Sequence, residues 1–336
     1  MTDLMLLAGG LVLLLAGGEL LVRGAVAVAE RAGMSPLLIG LTLVGFGTST
    51  PELVTSVQAA IAGSPGIAVG NIVGSNIANI LLILGLAALV TPITVASSAL
   101  ARDGMIVLAT AVAFAVVGYV WQLDRLVGAA GIALLVAYIV YAWRQESIPR
   151  TVEQEGHTSA YERGEAFEEL HKGPLQDQAG AKQLADRLGP FVPVLMALAG
   201  LALVVGGGKM LVDGAVGIAR AYGISETVIG LTIVAVGTSM PELVTSIVAA
   251  LRGHSAVALG NVLGSNIYNI LGIGGATALM APTAMPTEIV RFDNLVMIAA
   301  SMLLLVLARS GFRINRTEGA LMVACYVGYL WALWPK

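Results

Sequence analysis

GFGTSTPELVTSVQAAIAGSPGIAVGNIVGSNIAN, from Gly45 to Asn79, places a carboxylate, hydroxyls and amides inside otherwise apolar sequence. It occurs again from Ala235 to Asn269 as AVGTSMPELVTSIVAALRGHSAVALGNVLGSNIYN. Glu242 lies 190 positions after Glu52, and the same shift superposes Ser49 on Ser239, Ser75 on Ser265 and Asn79 on Asn269 without a gap. The duplication extends upstream, where GGELLVRGAVAVAERAGMSPLLIGLTLVGFGTS from Gly17 matches GGKMLVDGAVGIARAYGISETVIGLTIVAVGTS from Gly207. The apolar run Leu4 to Ala16 is therefore expected to be part of the fold and not a secretion signal. Its flank, Met-Thr-Asp-Leu, is acidic where a signal would be basic.

Composition places the chain in a membrane. Of 336 residues, 57% are hydrophobic and 12% charged, where soluble domains carry about 25% charged residues. Apolar runs of bilayer-spanning length, roughly 17 to 25 residues, follow one another with short interruptions. Ten spans are expected, near 4–29, 36–62, 66–91, 103–122, 124–143, 190–219, 226–252, 256–280, 292–309 and 316–334. The net charge of −3 and the lack of a basic cluster speak against a nucleic-acid partner. The single cysteine, Cys325, excludes an intrachain disulfide and reads as a core or lipid-facing residue.

The expected fold is an all-α polytopic membrane protein: a five-helix repeat over 1–143, a polar linker over 144–189, and a second five-helix repeat over 190–336. The linker mixes charges and lacks apolar periodicity, which fits a solvated segment or a small regulatory element. His157 and His171 fall there and His254 follows the seventh span; none has partners at metal-ligand spacing. Twelve of the 18 Lys and Arg residues fall on the linker side of the spans. The positive-inside rule then puts the linker in the cytoplasm and both termini outside. Five spans per half is odd, so the second repeat crosses the membrane in the opposite sense. Inverted repeats are typical of secondary transporters, with midplane sites on helices interrupted by Gly or Pro. Here Gly45, Gly47 and Pro51 interrupt the second span beside Thr48, Ser49 and Glu52, and Gly237 and Pro241 interrupt the seventh. Carbonyls freed near Gly45 and Ala235 can face a cavity there.

The donors offered suit a hard cation, since Ca2+ takes about six to eight oxygens and Na+ accepts similar ones. Ser49 and Glu52 stand three apart, Ser75 and Asn79 four apart, so each pair shares a helix face. Ser239, Glu242, Ser265 and Asn269 repeat the arrangement. Two midplane glutamates cost several kcal/mol unless neutralised, by one divalent or two monovalent ions or by protons. A structural reading competes at many positions. Thr42, Thr55, Ser56 and the glycines of the first span fit backbone-bonded hydroxyls and close packing. Glu19 with Arg23, and Lys209 with Asp213, read as local ion pairs. Asn71, Asn76, Asn261 and Asn266 fit either helix-packing hydrogen bonds or support of the ligands.

GTSTPE with GNIVGSNIAN, repeated as GTSMPE with GNVLGSNIYN, resembles the α-repeats of the sodium/calcium exchanger family in the cation/calcium antiporter superfamily, in its prokaryotic form. The resemblance covers nearly the whole chain; the linker is too short for the calcium-sensing domains of animal exchangers. It implies that Glu52 and Glu242 are the central Ca2+ ligands shared with Na+. Thr48, Ser49, Ser75, Asn79, Thr238, Ser239, Ser265 and Asn269 would complete the ion sites, with carbonyls from Gly45 and Ala235. The first and sixth helices would slide as a pair across the rest. Some relatives carry an aspartate where this chain has Asn269, and an acid there is associated with K+ binding; its absence lowers the expectation of K+ co-transport.

The function expected is alternating-access exchange of Na+ for Ca2+, electrogenic and K+-independent. Ca2+ and Na+ would be the substrates and the bilayer the environment, with no prosthetic group. A monomer would suffice without an obligatory protein partner, in the inner or plasma membrane of a prokaryote. A proton/calcium antiporter would use the same glutamates, although proton-coupled families carry an acid within the motif that here reads GNIVGSN. A channel would conduct without a counter-ion. An enzyme is disfavoured, since no His-Glu metal motif, Ser-His or Ser-Lys pair or nucleotide loop appears.

Overall fold

In hydrocarbon a helix satisfies its backbone groups within its own segment, so apolar runs of this length fold as helices. The computed structural model describes residues 2–32, 35–61, 63, 65–96, 100–147, 189, 191–221 and 235–333. The first half holds α1 (Thr2–Ala32), α2 in two arms, α2a (Leu37–Thr48) and α2b (Thr50–Ile61), α3 (Pro65–Val90), α4 (Leu100–Val120) and α5 (Arg125–Ser147). The second half holds α6 (Val192–Ala221), α7a (Ala235–Thr238) with α7b (Met240–Leu251), α8 (Ser255–Met280), α9 (Ile289–Arg309) and α10 (Arg316–Leu333). Seven of these helices are long and apolar enough to cross a membrane, or eight with the bent α2 pair. Completing the ten are α7, described from Ala235, and α10, whose first turn carries Glu318. Residues 148–188 of the linker, with His157 and His171, and 226–234 of the seventh span lie outside the described residues. α5 runs on through Arg144 to Ser147, a few residues beyond the expected span end at 143.

Local chemistry explains several helix ends. Asp124 precedes α5 and accepts from the Val127 N–H (2.9 Å) while taking the Trp121 indole N–H (3.0 Å). These bonds, the indole foremost, hold its carboxyl below the usual range. Asn315 and Glu318 form a reciprocal capping box at α10: the Glu318 N–H donates to Asn315 Oδ1 (3.0 Å) and the Asn315 N–H to Glu318 Oε2 (2.8 Å).

The inversion is visible in two small bridges. β1 (Ile93–Thr94), in the α3–α4 loop, pairs antiparallel with β2 (Arg313–Ile314), in the α9–α10 loop. Leu123, in the α4–α5 loop, pairs with Thr283, in the α8–α9 loop, through two 2.9 Å bonds. The positions correspond under the same shift, Ile93 to Thr283 and Leu123 to Arg313. Three and nine crossings from the start are both odd and four and eight both even, so each bridged pair of loops shares a face. Equivalent loops, after three and eight crossings or after four and nine, lie on opposite faces, as an odd number of crossings per half requires.

α3 and α8 form the enveloped centre, while α4, α5, α6 and α9 present much of their surface outward. That outward surface is apolar, with Leu126, Leu134, Val306 and Leu295 exposed and Tyr119 and Trp121 at one end of α4, as lipid and its aromatic interface require. α1 and α6 cross at backbone distance. A Cβ on Gly24 would lie 2.4 Å from the Ala197 nitrogen, and one on Gly200 would lie 2.3 Å from the Leu21 nitrogen. Only glycine permits that approach. Where the pair faces α7b, by contrast, Gly18 meets the side chains of Val244 and Val248.

Candidate ion-binding site

Each broken helix turns at a serine. Ser49 (φ −81°, ψ 11°) and Ser239 (φ −88°, ψ 6°) lie in the bridge region between helix and strand, and α2 bends there by 44°. Proline follows two residues later in both repeats and has no N–H for the carbonyl one turn back. In the first half the Thr50 hydroxyl replaces that donor, reaching the Gly47 carbonyl at 2.8 Å; Met240 brings no hydroxyl to the matching place.

The turns place both glutamates at the contact of the halves, each 1% exposed. Ser49 of the first half donates to Glu242 Oε1 (2.7 Å), and Ser239 of the second half donates to Glu52 Oε1 (3.0 Å). The pairing is thus crossed: neither serine serves the glutamate three residues away in its own helix. Ser239 also approaches the Ser75 hydroxyl (3.4 Å), and Ser265 donates to the Gly45 carbonyl (3.1 Å). The Thr48 hydroxyl lies 3.0 Å from the Val44 carbonyl, 3.3 Å from that of Gly45 and 3.2 Å from Asn261 Oδ1. Thr238, less buried, faces Asn71 Oδ1 at 3.4 Å.

Asn79 and Asn269 sit at the starts of wide π-helical turns, Asn79–Leu84 and Tyr268–Ile273. The first turn packs on α7b, which carries Glu242, and the second on α2b, which carries Glu52. Asn79 donates to Asn266 Oδ1 (3.0 Å), whose amide reaches the Asn76 carbonyl (3.4 Å). Asn269 is buried with neither amide atom hydrogen-bonded. Ala235 opens the described part of α7 at the place equivalent to Gly45. All the sequence-predicted ligands therefore lie on the four elements that meet at this contact.

The donor chemistry is uniform. Buried oxygens without a hydrogen-bond partner include Glu52 Oε2, Glu242 Oε2, Asn79 Oδ1 and Asn269 Oδ1. Among the described residues no cation pairs with either glutamate, and no group of three His, Cys, Asp or Glu side chains could hold a metal. Buried carboxylates left in that condition are costly. What the cluster can accept is a small hard cation that takes carboxylate, amide, hydroxyl and carbonyl oxygens together.

Some roles were not legible in sequence. Ser56 fits a backbone-bonded hydroxyl, but its oxygen accepts from Asn71 (2.9 Å), as Ser246 accepts from Asn261 (2.9 Å). A signal existed, since Asn71, Ser75 and Asn79 recur every four residues along one face of α3. Thr42 does bond back to its own helix, at the Leu38 carbonyl (2.8 Å). The Glu19–Arg23 pair forms and gains Arg252 from the end of α7b (2.9 Å). Lys209 and Asp213 differ, with no ion pair to each other among the described residues.

The family model described as sodium/calcium exchanger protein matches residues 2–145 and 192–334. The sodium/calcium exchanger MaX1 of Methanosarcina acetivorans is 36% identical over 98% of this chain and 97% of its own length. Inner membrane protein YrbG of Escherichia coli is 35% identical over 97% and 94%. Among solved structures, the sodium-calcium exchanger NCX_Mj, soaked with Na+ and Ca2+, superposes with a TM-score of 0.81 at 30% identity, covering 100% of this chain and 99% of that one.

Proposed function

Because the chain belongs to the sodium/calcium exchanger family, we propose that it is a secondary antiporter that exchanges Na+ for Ca2+ by alternating access, electrogenically and without K+. The observation that carries this reading is the crossed pair of buried glutamates, each held on one oxygen by the other half's serine and open on the second. One Ca2+ cancels the two carboxylates. Three Na+, the family's usual number, would leave one positive charge, so exchange would move net charge across the membrane.

Coupling follows from the cost of buried charge. An unneutralised site resists passage through hydrocarbon, so the transporter changes face only when loaded. The α1–α6 pair, interlocked through backbone contacts but meeting α7b through side chains, is suited to move as a unit. Only Ca2+ and Na+ need bind, and the ligands of a complete site come from one chain, so a monomer suffices without prosthetic group, enzyme chemistry or a protein partner. The arrangement fits a prokaryotic plasma membrane with both termini outside and the linker in the cytoplasm.

The test is 45Ca2+ uptake into proteoliposomes loaded with Na+, with K+ and pH gradients as controls and the voltage set by ionophore. Uptake that requires internal Na+ and rises with an inside-positive potential supports the proposal. Uptake indifferent to Na+ but driven by an acidic lumen replaces it with proton/calcium exchange on the same glutamates.

A further inference from the structure

Asn71 and Asn261 lie outside the predicted ligand set, yet each has its amide engaged on both sides. Asn71, on α3, donates to the backbone carbonyl of Glu52 (3.2 Å) and to the Ser56 hydroxyl (2.9 Å), both on α2b of its own half. Its oxygen faces the Thr238 hydroxyl of the other half (3.4 Å). Asn261, on α8, repeats the pattern: it donates to the Glu242 carbonyl (3.2 Å) and to Ser246 (2.9 Å), and its oxygen faces Thr48 (3.2 Å). Both residues are buried. A side-chain amide offers two N–H donors and one acceptor oxygen, and here all three functions are engaged in a buried network where each unmade bond is costly.

We infer that Asn71 and Asn261 are positioning residues that register the glutamate of one half against the threonine of the other. The donor side fixes the turn of helix from which the carboxylate springs. The acceptor side keeps the threonine hydroxyl of the other half within hydrogen-bond reach, 3.4 Å for Thr238 and 3.2 Å for Thr48, and so fixes where that oxygen stands at the contact of the halves. Replacing asparagine with aspartate, alanine or leucine breaks at least the donor side, so no other residue of similar size does both. The two asparagines therefore couple the half-sites in a crossed sense, Glu52 with Thr238 through Asn71, and Glu242 with Thr48 through Asn261.

This inference rests on the proposed Ca2+ site and is tested by equilibrium 45Ca2+ binding to purified protein, which is independent of the coupling ion. Asn71→Ala is expected to weaken Ca2+ binding about tenfold. In a double-mutant cycle its effect shrinks when combined with Thr238→Val but stays full with Thr48→Val, and it stays full with Thr238→Ser, which keeps the hydroxyl. Asn261→Ala shows the reverse, losing its effect with Thr48→Val only. The mirrored cycle keeps the test decisive if one single variant fails to fold, and thermal melts check folding of each. Effects that add in every combination, or that couple without crossing, overturn the inference while leaving the site in place. Absence of Ca2+ binding by the unmodified protein overturns the proposed function and the inference with it.

Discussion

At the scale of single residues, the proposed exchange rests on two side chains, Glu52 and Glu242. Glu52→Gln or Glu242→Gln keeps the shape of the site but removes half its negative charge, and 45Ca2+ flux in proteoliposomes is expected to fall to background in either variant. Asn269 offers the opposite test. It is buried with a free amide, and Asn269→Asp would add a third carboxylate with no cation beside it. Such a charge costs about 3 kcal/mol or more, so the thermal midpoint should drop in ion-free buffer and recover when Ca2+ is added. The residues proposed as ligands stand out in the sequence because a carboxylate, a proline and hydroxyls are conspicuous in an apolar stretch. Which serine serves which glutamate was not legible. Ser49 stands three residues from Glu52 on the same helix, and nothing in that spacing reveals that its bond goes to Glu242. Pairing across a pseudo-twofold axis appears only once the halves are brought together.

At the scale of helices, the α1–α6 crossing and the tether at its edge behave differently. A leucine at Gly200 would drive its Cβ into the backbone of Leu21; Gly200→Leu should cost about 1–3 kcal/mol or more from overpacking, read as a lower thermal midpoint. Glu19 joins α1 to the end of α7b through Arg252, but both side chains are partly exposed, 28% and 34%. Arg252→Gln should therefore change stability by about 1 kcal/mol at most, and less at high salt. Among the described residues helix existence was readable from apolar length, but helix ends were less so. α5 continues through Arg144 to Ser147, because a helix leaving the bilayer can carry polar residues into water without breaking its hydrogen bonds. The short bridges at Ile93–Thr94 and at Leu123 were beyond sequence, as their partners lie in loops of the other half.

At the scale of the whole molecule, no half is complete. The glutamate of each needs the serine of the other, and both loop bridges join one half to its counterpart. Residues 1–147 and 191–336 expressed separately are expected to bind no Ca2+, whereas co-expression of the two should restore binding measured on the co-purified pair. Capture of Ca2+ by one half alone would mean that the crossed contacts are dispensable.

The crossed bonds also carry a history. Ser49 to Glu242 and Ser239 to Glu52, Asn71 to Thr238 and Asn261 to Thr48, are each one bond written twice with the halves exchanged. Two copies of a single ancestral half, inserted in opposite senses, would satisfy every one of them. Such an ancestor would have needed no fixed orientation, only a sequence indifferent to which face it entered from. The places where the present halves disagree, Glu19 against Lys209 and Thr50 against Met240, are then marks of what fusion allowed: once one chain fixed the orientation of both copies, each could specialise for its own side of the membrane.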